Sequence, residues 1–177
     1  MVTKWFKNSI KIALQGQYPT GMQNYCYNLP SRAVDNRIYY PTNVYAYNNA
    51  SFTLNATSVG ISVGSGNNAA TDEDYNLQTT ITAGLSGTVT GTKGIDSNGR
   101  PYSTFNVVLS NTTTSDIVVR EIGFKANINA GTNPDAIGNN SNRCYLIDRT
   151  VLPEPVTVPA GSSAAILYTL RTEYDFT

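Results

Sequence analysis

The chain has 177 residues, enough for one domain with a sizeable core, and its 12 Lys plus Arg balance 12 Asp plus Glu. Zero formal charge argues against a nucleic-acid partner, whose binders carry a basic patch that displaces counterions. Histidine is absent, which excludes Ser-His-Asp and Cys-His catalysis and removes the commonest metal ligand.

Residues 1–16 have helical spacing. Phe6, Ile10, Ala13 and Leu14 recur every three or four positions beside Trp5 and Ile12, while Lys4, Lys7, Asn8 and Lys11 are polar. Thr3 suits the N-cap and Gly16 the C-terminal stop. So short a helix is marginal alone, so its apolar face must dock, either on its own domain or on a neighbouring subunit. Lysines interrupt the apolar positions, so the start does not read as a secretory signal. No run approaches the roughly 20 apolar residues of a membrane span. The expectation is a protein made in a cytoplasm, with no membrane partner.

Residues 17–50 form a second region. Seven of the 12 tyrosines fall here, separated by Asn, Pro and Gly so that no periodicity persists. Tyrosine offers a broad ring with a polar tip at low entropic cost. Three uses fit: packing on its own domain, contact with other subunits, or stacking on a glycan. The candidate subunit contacts are Trp5, Phe6, Ile10, Tyr25, Tyr27, Tyr39, Tyr40, Tyr45 and Tyr47. Cys26 and Cys144 are too few for a zinc knuckle; a disulfide and two free thiols both remain open.

From residue 51 onward the chain is a series of strand signals. Phe52 and Leu54, then Val59, Ile61 and Val63, alternate with small or polar residues before Gly64-Ser65-Gly66. Residues 77–83, 88–92, 104–110, 117–126 and 144–151 continue the series. Residues 144–174 read as two or three strands punctuated by Pro153, Pro155 and Pro159-Ala160-Gly161. Asp96-Ser97-Asn98-Gly99 has hairpin-turn chemistry, residues 111–116 form another turn, and residues 130–143 read as a long loop. The predicted fold is all-β: an antiparallel β-sandwich, jelly-roll or Ig-like Greek key, over residues 51–177 with a short N-terminal helix.

Local motifs give little chemistry. Asp72, Asp74 and Asn76 mimic the start of a calcium loop, but Leu77 and Ala83 stand where its glycine and glutamate belong. A capped turn, with Thr71 as the cap and Asp74 as the reciprocal acid, explains them better. Asn-x-Ser/Thr triplets at Asn49, Asn55, Asn111 and Asn139 are expected by chance in so Asn- and Thr-rich a chain. Arg120, Glu121, Asp148 and Arg149 sit inside strands; they read as a solvated outer face or as cross-strand pairs, Arg120 with Asp148 or Glu121 with Arg149. No catalytic residue, cofactor site or metal site is predicted, and the chain is not expected to be an enzyme.

The order of several motifs adds a resemblance. VGISVGSGNNAATDEDYNL, FNVVLSNTTT, VVREIGF and LIDRTVLPEPVTVPAGSSAAILYTLR follow one another over residues 58–171. In this order they resemble small β-rich structural proteins of tailed bacteriophages, the last two motifs being the more specific. The resemblance implies a virion component, made in the host cytoplasm and assembled in many copies on the head, neck or tail, with copies of itself and other virion proteins as partners. It transfers no catalytic residue and has no counterpart for residues 17–49. Two alternatives stand beside it: a carbohydrate-binding or host-attachment module, and an extracellular filament subunit.

Overall fold

The computed structural model describes residues 31–43, 51–97, 101–131 and 141–171. They form eight strands: β1 (Ser31–Arg32), β2 (Ile38–Asn43), β3 (Gly60–Gly64), β4 (Leu85–Ile95), β5 (Pro101–Asn111), β6 (Ile117–Gly131), β7 (Ser141–Val158) and β8 (Ser163–Arg171). Every strand pairing is antiparallel. The all-β prediction is met by two antiparallel sheets. The N-terminal helix expected over residues 1–16 lies outside the described residues, as do Cys26 and the Asn98-Gly99 turn.

The first sheet is built around β6. One edge of β6 pairs with β7 along nearly its full length; the other is shared, with β3 against residues 121–125 and β2 against residues 129–131. β1 adds to β2, so part of the Tyr-rich segment is sewn to this sheet. The second sheet has the order β4-β5-β8. Both contribute to one apolar core: Ile61 and Val63 of β3, Leu85 of β4, Val107 and Leu109 of β5, Val119 and Ile122 of β6, Val158 of β7, and Ile166 and Tyr168 of β8. Burying an aliphatic side chain of this size stabilises by about 1.5–3 kcal/mol, so the alternation of these residues drives the two layers together.

Three connections cross between the sheets, and Asn111 ties two of them, β5–β6 and β7–β8, at one end. Its backbone N–H donates to Ser162 O (2.9 Å) and its side-chain amide to Val158 O (2.9 Å) and Ser115 O (2.7 Å). Its Oδ1 accepts from the Thr113 amide (2.9 Å) and hydroxyl (2.8 Å). At 2% exposure Asn111 is a corner staple; its triplet presents no surface acceptor for a glycan.

The structure corrects several boundaries. Residues 77–83 do not form a strand, because the amides of Gln78 and Thr79 donate to the Glu121 carboxylate instead of to a neighbouring backbone. One bridge, Gly64 to Thr80, is all that remains of the expected pairing. β7 runs through Pro153 and Pro155: Val119 faces Val156 while Glu121 already faces Val151, so the prolines fall in a bulge where no ladder donor is required. The loop expected over residues 130–143 is shorter, since β6 continues to Gly131 and β7 begins at Ser141.

Candidate functional site

The densest polar cluster among the described residues lies on the face of the first sheet that points away from the shared core. On β6, Ile122 joins the core while Glu121, Gly123 and Lys125 point to the other side. Two segments cover that side. Residues 64–80 lie over Glu121 and Gly123, and residues 51–58 lie over Lys125. The Gly123 position is occupied by neighbours: a Cβ there would meet Leu77 Cδ2 at 2.7 Å and Leu146 Cδ1 at 3.1 Å.

Glu121 is fully buried and accepts four hydrogen bonds. Three come from backbone amides, of Gly66 (3.2 Å), Gln78 (3.1 Å) and Thr79 (2.8 Å), and the fourth from Arg149 Nε (2.6 Å). Arg149, 2% exposed, also donates to Asp74 Oδ2 (2.8 Å), Asn68 O (3.0 Å) and Ala69 O (3.5 Å). Burial opposes the guanidinium charge, but hydrogen bonds to Glu121 and Asp74 and their negative charges outweigh it and raise the Arg149 pKa. The Glu121–Arg149 pairing suggested by alternation therefore exists, buried instead of solvated. Asp148 pairs differently: it faces the core, where its Oδ2 accepts from Tyr168 Oη (2.5 Å) and Thr150 Oγ1 (3.0 Å). Burial, then the charge of Asp148 and this hydrogen bond, push the Tyr168 pKa well up.

Asp74 closes the cluster. Its carboxylate accepts the Thr71 amide (2.9 Å) and hydroxyl (3.1 Å), while the Asp74 amide donates to Thr71 O (3.3 Å). One of the two bonds of the predicted cap is thus present, the Thr71 amide on the Asp74 carboxylate; the Asp74 amide goes to the Thr71 carbonyl instead of its hydroxyl, on a turn that does not continue into a helix. Among the described residues no three of His, Cys, Asp and Glu group as metal ligands. An open polar cleft of about 560 Å³ lies beside the cluster, lined by Asp35, Asn36, Glu73, Tyr75, Gln78 and Arg149 among others.

A second buried cation sits further along β6. Lys125 Nζ donates to Asn55 O (3.1 Å) and Ala56 O (3.0 Å), pinning the 51–58 segment. Burial lowers its pKa to about 8, with the Cys144 thiol pulling it back up. Burial pushes Cys144 up to about 11, against Lys125 and with the help of Asp35.

Of the predicted contact residues, Tyr39 and Tyr40 fall on β2, paired in register with Ser31 and Gly131. Trp5, Phe6, Ile10, Tyr25, Tyr27, Tyr45 and Tyr47 lie outside the described residues. Among the described residues no helix is long and apolar enough to cross a membrane. Sequence reasoning missed Lys125 as a loop anchor; its parity with Glu121 on β6 was the available signal. Compared with family models, curated proteins and solved structures, the chain matches none.

Proposed function

We propose that this chain is a non-enzymatic structural subunit of a tailed-bacteriophage virion, a Greek-key β-sandwich assembled in many copies through protein–protein contacts. One observation carries the reading beyond the sequence resemblance. The separate motifs that resemble phage structural proteins meet at a single place: Asp74 and Leu77 from the acid-Tyr-x-Leu turn, Glu121 and Gly123 from VVREIGF, and Arg149 from LIDR. Together they lock a long irregular loop onto a sheet. The carboxylate of Glu121 is spent on four donors and the guanidinium of Arg149 on four acceptors, so both serve fixation. Fixation of this kind suits a body that must keep its shape within an assembly. The placement of β8 beside β5, after the β6–β7 hairpin in the opposite layer, supports the Greek-key description.

The test is mass spectrometry of particles purified from a culture producing the protein. The reading expects the chain in several copies per particle, held through washing; its absence from intact particles refutes it. A glycan array run in parallel separates the host-attachment alternative: sugar binding lost on Tyr39→Ala and Tyr40→Ala favours attachment.

A further inference from the structure

The second sheet presents its outer face to solvent, and the register aligns that face in rows of three across β4, β5 and β8. One row is Thr90–Asn106–Leu167, and the next is Thr92–Thr104–Thr169. In the four rows from Ser86–Ser110–Ser163 to Thr92–Thr104–Thr169 no residue is charged, and the row beyond them is Gly94–Tyr102–Arg171. The hydroxyls bond along the rows: Thr104 Oγ1 to Thr169 Oγ1 at 3.1 Å, and Ser110 Oγ to Ser163 Oγ at 2.8 Å. Hydroxyls already paired with each other lose less when water is expelled. Leu167, at 73% exposure, projects from the edge strand β8 between Ala165 and Thr169.

We infer that this face docks on the same face of a second copy of the chain. Charge selects the occupant. A charged partner surface would lose hydration here and gain no ion pair, whereas a second copy brings an equally uncharged set of rows on which Thr104 and Thr169 already bond each other. A two-fold axis in the plane of contact, running along the Thr90–Asn106–Leu167 row, sets Leu167 on its symmetry mate and buries both. The size of the contact follows from sheet spacing. The axis row and one row on each side, at about 6.8 Å, across three strands at about 4.8 Å, give a footprint of roughly 300 Å² per copy. The two copies together bury roughly 600 Å², below the roughly 1,200–2,000 Å² of a stable pair. Association between two free copies is therefore weak, and it becomes effective where many copies are held side by side. This deepens the assembly reading by naming a surface and a partner, but particle content and self-association are measured separately, so either can fail alone.

The experiment is sedimentation equilibrium of the purified full chain from about 10 μM to about 1 mM, where so small an interface is populated. The apparent mass should rise with concentration toward the dimer. Thr90→Lys, which sets two lysines against each other across the axis, should weaken association at least tenfold, and Leu167→Asp should do the same. Both positions are exposed, and unchanged circular dichroism verifies their folding. As an arm that does not rely on a loss, Leu167→Cys treated with a short bismaleimide should give a cross-linked dimer that the parent protein does not. A mass that stays monomeric to about 1 mM, association untouched by the charge substitutions, or no cross-link through position 167 each overturns the inference. So does glycan binding abolished by Leu167→Asp in a protein that remains monomeric, since it assigns the face to a carbohydrate.

Discussion

Glu121→Gln isolates what holds the 64–80 segment in place. The carboxylate takes Gly66 and Thr79 on Oε1, and Gln78 and Arg149 on Oε2. A glutamine has one oxygen and one NH₂ group. Placed with its oxygen in the Oε1 position, it turns a donor toward the N–H groups of Gln78 and Arg149; flipped, it turns that donor toward Gly66 and Thr79. Either way two donors lose their acceptor, at about 1–3 kcal/mol each. Arg149 also loses its fully buried counter-charge and keeps Asp74, whose side chain is 23% exposed. Breaking a buried ion pair from one side costs about 3–5 kcal/mol, so the two routes agree on a loss of about 4 kcal/mol. Equilibrium urea unfolding measures it, with amide exchange of Gly66, Gln78 and Thr79 as the local readout and Asn111, at the far corner, as control. The double variant Glu121→Met/Arg149→Met sharpens the argument. Swapping an ion pair for apolar residues is often neutral, yet here it still leaves three backbone amides without the acceptor they had, for about 3 kcal/mol at the low end. Wild-type stability in that double variant, or a Glu121→Gln cost under about 1 kcal/mol, would refute the claim that this carboxylate anchors the loop.

Ser62 on β3 is fully buried and its Oγ has no hydrogen-bond partner among the described residues, so Ser62→Ala should raise stability by about 1 kcal/mol in the same urea assay; a loss of that size would mean the hydroxyl is engaged. Gly60 and Gly161 both have positive φ, at 128° and 65°, but differ in surroundings. A Cβ at Gly60 collides with the Ser51 carbonyl, whereas one at Gly161 meets nothing within 4 Å among the described residues. Gly161→Ala should therefore cost about 1 kcal/mol and Gly60→Ala about 3 kcal/mol or more; equal losses would remove the collision argument. The pH profile carries opposing signs. Lys125 titrates near 8 in the fold against an ordinary 10.5, so above pH 8 the unfolded chain binds the extra proton and stability rises, by up to about 1.4 kcal/mol per pH unit. Above pH 9.0 the unfolded Cys144 loses a proton that the fold retains to about 11, which cancels the gain, and above 10.0 the raised Tyr168 turns it into a loss. Cys144→Ser should extend the rise to about pH 10; urea midpoints that instead fall steadily from pH 8 in this variant would contradict the assignment.

Several features were legible in the sequence because they are local. Period-two alternation marks Val107 and Leu109, or Ile166 and Tyr168, as one face of a strand without reference to a partner, and Pro159-Ala160-Gly161 marks a turn wherever the strands go. Alternation also put Glu121 and Arg149 within reach of each other. What it could not supply was the cover: parity places Glu121 on the non-core face but does not say whether that face meets water or a loop. The same limit produced the error at residues 77–83, whose pattern suits a strand until Glu121, over 40 positions away, takes the amides of Gln78 and Thr79.

The amino-acid order by itself marked stretches of β3 to β8 and the turns at residues 111–116 and 159–161, because steric alternation and backbone preference act between near neighbours, whereas β1 and β2 lie in the Tyr-rich region where no periodicity persists. Only the tertiary structure decided that β6 is shared between β2 and β3, that Asn111 staples the β5–β6 and β7–β8 crossings, and that four charges near the sheet divide into a buried clamp, a core-facing Asp148 and a half-buried Arg120. Those outcomes depend on which distant backbone donors and acceptors remain unmatched once the sheets have closed, and closure is a property of the whole chain.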